Sequence, residues 1–155
     1  MTSDAKPFDA PALIKDFLTA YVFGVIGIYA LSWALAAFFQ IELPGGVGVV
    51  PFVIGVQLAA QKHVNRGGGE VKGAAAWRAA FLMTLAAVAL SFVLIGALIA
   101  VLGVDAVLGP DFMELVSPQI FGVMLLFVLA FYLLMARLGF PWLVRSALKV
   151  AALRK

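Results

Sequence analysis

The stretch Val47–Ala60 reads VGVVPFVIGVQLAA, and whether it crosses a membrane decides the topology of the chain. It is apolar apart from Gln57, but it is rich in glycine and carries Pro51. It is also shorter than the about 20 residues that a bilayer-spanning helix needs. On length alone a re-entrant segment is the alternative. The flanking sequence supplies the deciding information.

Three longer stretches meet the length requirement without difficulty. They cover about residues 17–40 (FLTAYVFGVIGIYALSWALAAFF and the following Gln), 79–103 and 118–137. All 11 Lys and Arg residues lie outside them or at their ends. Lys6 and Lys15 precede the first stretch; Lys62, Arg66, Lys72 and Arg78 lie between the second and third. Arg137, Arg145, Lys149, Arg154 and Lys155 close the chain. The remaining connections hold only acids: Glu42 in one, and Asp105, Asp111 and Glu114 in the other. Basic residues stay on the cytoplasmic side of a membrane. Both ends and the central turn are therefore expected inside and the two acidic loops outside, which requires residues 47–61 to cross. The expected fold is an all-α integral membrane protein: a four-transmembrane-helix bundle, N-in and C-in, in the bacterial inner membrane.

Composition agrees. Of 155 residues, 65% are hydrophobic and 12% charged, where soluble domains average about 25% charged. Mean hydropathy is +1.11, more apolar surface than so small a soluble domain can hide. The chain has no cysteine and one histidine, which excludes thiolate chemistry and argues against a histidine-built zinc or haem site. The acids Asp105, Asp111 and Glu114 lack a histidine and a ligand spacing, so no metal or other cofactor is expected. The net charge of +3 follows from membrane orientation and lipid contact, and no nucleic-acid partner is needed to explain it.

The ends of the chain have their own signals. Ala34–Ala36 resembles a leader-peptidase site, but Asp4, Asp9 and Asp16 outnumber Lys6 and Lys15 ahead of it, and a signal peptide needs a basic start. Asp9 is placed to cap a short helix ahead of the membrane, with Pro11 in its first turn. Towards the C-terminus, Pro141 is expected to interrupt the fourth helix. At about 100° per residue, Val144, Ala147, Leu148 and Ala151 then share one side of residues 141–155, and Arg145 and Lys149 the other. That is an amphipathic interfacial helix with Trp142 at headgroup depth.

The central turn, Gln61–Gly73, reads QKHVNRGGGEVKG. A phosphate-binding loop would need Lys and then Ser or Thr after its last glycine, and a strand before it. Glu70 follows Gly69 here, so the glycines read as a helix stop. His63 reads as a solvated loop residue. Glu70 is expected to pair with Arg66 or Lys72. Lys62, Arg66, Trp77, Arg78, Trp142, Arg145 and Lys149 are the candidate contacts to anionic headgroups or a partner.

Within the spans no ionisable residue lies near a centre. Ser32, Gln57 and Ser91 are the polar side chains there, read mainly as interhelical hydrogen bonders and otherwise as a polar path. Gly24, Gly27, Gly48, Pro51 and Gly55 are the candidate packing positions, where small residues admit a neighbouring backbone and Pro51 kinks the second helix. In the last outer loop, Asp111–Glu114 is expected to form a short interfacial helix that serves as a docking point.

The motif Gly46-Val47-Gly48-Val49 followed by Arg66, Glu70 and Trp77 resembles a family of small bacterial inner-membrane proteins. Their glycine-rich second span leads into a basic cytoplasmic turn. Gly67–Gly69 stand where the family's turn proline is expected. The resemblance implies a topology and no established activity. The expected function is a non-catalytic accessory or scaffold subunit that packs against a larger membrane protein complex or itself. The alternative is a small oligomeric transporter or channel with a polar path around the second span.

Overall fold

In a computed structural model the chain is all-helical, and the structure describes residues 8–42, 48–104, 107, 109 and 116–153. Four main helices are α1 (Ala10–Phe39), α2 (Val50–Asn65), α3 (Gly73–Leu102) and α4 (Pro118–Leu153). Three of them, α1, α3 and α4, are long and apolar enough to cross a membrane. At 1.5 Å per residue α2 is about 24 Å long, short of the about 30 Å hydrocarbon core.

Local chemistry sets the helix ends. The Asp9 side chain accepts a hydrogen bond from the Ala12 N–H at 3.1 Å, so α1 begins at the expected cap. It is not a separate short helix, but runs unbroken into the apolar stretch. Gln40, in the left-handed region at φ 55°, ends it. Pro51 does not kink α2, because the helix starts at Val50 and the proline falls in its first turn. No helical N–H is lost at that position. Ser117 Oγ accepts from the Ile120 N–H at 3.3 Å and starts α4. The expected helix over Asp111–Glu114 lies outside the described residues.

Pro141 departs most from the sequence reading. It lies inside α4, which continues through it to Leu153. A separate tail helix over 141–155 is therefore replaced by one long helix. Proline removes one hydrogen bond, but Phe140, Pro141 and Val144 are all buried, and their packing holds the axis together across the defect.

Each helix packs mainly on two others: α1 on α2 and α3, and α4 on α2 and α3. The core lies at one end of this four-cornered arrangement. Phe17, Phe52, Met83, Phe140 and Val144 are its largest fully buried side chains, with Ala59, Ala60, Ala76, Ala79, Ala80 and Ala136 among them. The alanines let helices approach, and the aromatics fill the space between. The Phe17 ring meets Phe52 edge-on at 5.5 Å, and Phe52 stacks on Tyr132 at 4.4 Å. Towards the other end the helices share little. Phe23, Trp33, Phe38, Phe92, Val101, Val123 and Phe127 are exposed.

The candidate packing residues divide accordingly. A Cβ on Gly24 would come within 3.0 Å of Pro51 Cα, and one on Gly55 within 2.8 Å of Phe17 Cε2. Both glycines, with Pro51, form the α1–α2 contact. A Cβ on Gly27 or Gly48 would meet nothing within 4 Å among the described residues, and both glycines are exposed. Gly55→Ala is therefore expected to cost about 1–3 kcal/mol through overpacking, and Gly27→Ala to be neutral or slightly stabilising. Reversible unfolding of both variants in mixed micelles checks the contrast; equal effects would contradict this register.

Candidate functional site

The chain places two carboxylates at the core end and gives each of them two cations. Asp16, on α1, is buried at 5% exposure. Lys62 Nζ stands 3.3 Å from its Oδ1, and Arg66 donates to its Oδ2. Lys62 and Arg66 are one turn apart near the end of α2, so one helix face delivers both. A buried carboxylate costs several kcal/mol unless it is paired and hydrogen-bonded. Here the two cations supply the pairing while keeping about half of their own surface in solvent, 51% and 46% exposed.

Glu70, in the turn after α2, takes Lys72 Nζ at 2.6 Å and Arg145 Nε at 2.5 Å. Lys72 precedes α3 and Arg145 belongs to α4, so this carboxylate links the turn to both later helices. Lys72 first, and Arg145 with it, hold the Glu70 carboxyl below its ordinary value. The pairing with Lys72 agrees with the sequence reading; Arg66 instead belongs to Asp16.

His63 is not a loop residue. It lies in the last turn of α2 and is half-buried, between the rings of Phe8 and Phe140, each 6.2 Å away. Its Nε2 is 3.1 Å from the Gly69 carbonyl. A carbonyl only accepts, so Nε2 carries the proton and donates. The buried Gly68 passes directly against the ring, where a Cβ would clash with the His63 imidazole. Gly67, at φ 82°, makes the turn that brings it there. The glycine run therefore stops the helix and also clears room for the imidazole.

Arg137 stacks over Trp77 at 5.1 Å, well inside α4 rather than at its end. Trp77, Arg78, Trp142 and Lys149 are exposed. Of the candidates Ser32, Gln57 and Ser91, Ser91 makes a tie between helices. Its hydroxyl donates to the Ala87 carbonyl at 2.9 Å, so the Tyr21 hydroxyl, 3.1 Å away, donates to it. Ser32 is half-buried, on the open part of α1. Gln57 faces away from the core, so Ser32, Gln57 and Ser91 do not converge on a common path. Among the described residues no three His, Cys, Asp or Glu side chains gather as a metal site.

Two grooves flank the junction. One, of about 470 Å³, runs between α1 and α2 from Asp16 and Lys62 to Leu31. The other, of about 510 Å³, lies between α2 and α4 and is lined by Gln57, Gln61, Asn65 and Ser146.

An all-helical chain with three membrane-length apolar helices and charge gathered at one end has the character of a membrane protein. Comparison with family models, curated proteins and solved structures finds no match. Its function is therefore argued from its own residues.

Asp16 was hidden in the sequence among the N-terminal acids. The available signal was its place at the head of the apolar stretch, about two turns past the Asp9 cap, opposite two basic residues spaced four apart at the end of the next helix. Nothing in the sequence pairs Glu70 with Arg145, 75 positions away. Gly68→Ala is expected to lose about 1–3 kcal/mol by forcing the turn off the imidazole. His63→Ala in the same chain should restore most of that loss, measured by the same unfolding titration. A Gly68→Ala variant as stable as the parent would contradict the contact.

Proposed function

We propose that the chain is a four-span bundle of the bacterial inner membrane with both termini cytoplasmic. In this reading it serves as a non-catalytic accessory or scaffold subunit that packs against a larger membrane protein complex. The observation that carries the reading is the uneven distribution of its packing. The core and the ion pairs occupy one end, while the other halves of α1, α3 and α4 expose Trp33, Val101 and Phe127 at 69%, 80% and 72%. These halves are left for lipid or for the helices of a partner. Between apolar helices in lipid, association depends on shape and small residues, and Gly27, Gly96 and Gly122 have open space around them.

The charge pattern supports the orientation. The ion-paired junction holds Lys62, Arg66, Lys72 and Arg145, and such basic clusters stay inside. For α2, whose about 24 Å of helix is shorter than the hydrocarbon core, the crossing rests on the charge pattern on its two sides.

One observation favours the second reading, a small oligomeric transporter or channel. The amide-lined groove of Gln57, Gln61, Asn65 and Ser146 would become an enclosed polar path if copies met across it.

Gentle extraction of tagged protein from its host membranes, followed by native electrophoresis and mass spectrometry, separates the two. The scaffold reading expects stoichiometric co-migration with a larger complex, released by Trp33→Ala and Phe127→Ala without loss of the folded core. A protein that runs alone, or as a small homo-oligomer, contradicts it.

A further inference from the structure

The groove between α1 and α2 has two unlike ends. Its wall is apolar along Ala20, Gly24, Ile28, Leu31 and Leu58. The one hydroxyl in it, Thr19, is committed to the Lys15 carbonyl at 2.7 Å. At one end stand Asp16 and Lys62, with Arg66 on the same carboxylate.

We infer that this groove is a phospholipid site, with one acyl chain lying between α1 and α2 and an anionic headgroup held by Lys62 and Arg66. The inference rests on the reading of these helices as membrane-embedded, and makes the expected contact with anionic lipid specific to one place.

Length and polarity fit an acyl chain. From Asp16 to Leu31 the groove follows fifteen residues of α1, about 22 Å. Half of the hydrocarbon core is about 15 Å, so a chain anchored at Lys62 reaches the bilayer midplane within it. The wall along that length is apolar, and the cations stand at one end of it, the arrangement that a lipid's tail and headgroup require.

Charge selects the headgroup. One carboxylate faces two cations, so the mouth of the groove keeps one net positive charge. Lys62 and Arg66 remain about half exposed, at 51% and 46%. An ammonium has three N–H donors and a guanidinium five, and Asp16 uses only some of them. Phosphate oxygens can take the others. A zwitterionic lipid brings its own cation to a mouth that is already positive, which places phosphatidylglycerol-like lipids ahead of phosphatidylcholine.

Native mass spectrometry of the full chain in micelles containing equal phosphatidylglycerol and phosphatidylcholine tests this. One phosphatidylglycerol should be retained in preference, and Lys62→Gln should lower that preference about fivefold. Asp16 keeps Arg66 in that variant. Gly27→Leu should lower retention of both lipids, because Gly27 lines the groove and a Cβ there has open space ahead of it, so the leucine side chain enters the groove. If Lys62→Gln does not fold, Gly27→Leu alone decides the matter. Equal retention of the two lipids by the parent, or retention unchanged in Gly27→Leu, overturns the site. A second copy displaced by Gly27→Leu with no lipid retained also overturns it. Carbonate washing of membranes is run in parallel. Parent protein that washes off would end the membrane reading and the lipid site together, whereas embedded protein with unselective lipid retention ends only the site.

Discussion

One buried carboxylate organises the packed end of this protein. Asp16 is placed on α1 immediately before the apolar stretch, where it is buried, and it survives there because α2 returns with Lys62 and Arg66 on a single face. The constraint works in both directions. The acid cannot leave its cations without becoming an unpaired buried charge, and the α1–α2 register cannot slip without separating them. The same register sets Gly24 against Pro51 and Gly55 against Phe17. Steric fit and charge therefore specify one alignment, which mutually consistent local preferences should do.

The remainder of the junction extends from that hairpin. The turn leaving α2 folds over His63, and its next residue, Glu70, reaches Lys72 and Arg145. All four helices are thereby tied at one level by side chains from α1, α2, the turn, the approach to α3, and α4. Beyond the Tyr21–Ser91 hydrogen bond little joins them. In water such splayed apolar halves would collapse or aggregate. In a bilayer the surroundings are as apolar as the helices, and no hydrophobic force draws them together. A fixed charged end and an open apolar end are the features on which the proposed scaffold role rests.

Much of this was legible in the sequence: the long helices, the Asp9 cap, the glycine stop and the close contacts at Gly24 and Gly55. Periodicity and capping are local, so local reasoning reaches them. Gly27 shows the limit of that reasoning, because spacing marks a small residue without saying whether a neighbour arrives. Pro51 and Pro141 show a second limit. The same residue type starts one helix and is carried through another, and tertiary packing around Phe140 and Val144 decides the latter. His63 was misread as solvated because its partners Phe8 and Phe140 are distant in sequence, and the Glu70–Arg145 pair was unreadable for the same reason. Within the candidate site, the residue types were visible and their pairing was not.

The most direct measurement is a double-mutant cycle on Asp16→Asn and Arg66→Gln, read by reversible unfolding in mixed micelles. Two groups that share one buried interaction should couple, and the account predicts a coupling energy above about 1 kcal/mol, within the range found for contacting residues. Additive effects, with coupling near zero, would mean that Asp16 does not hold the hairpin and that the charged end does not organise the bundle.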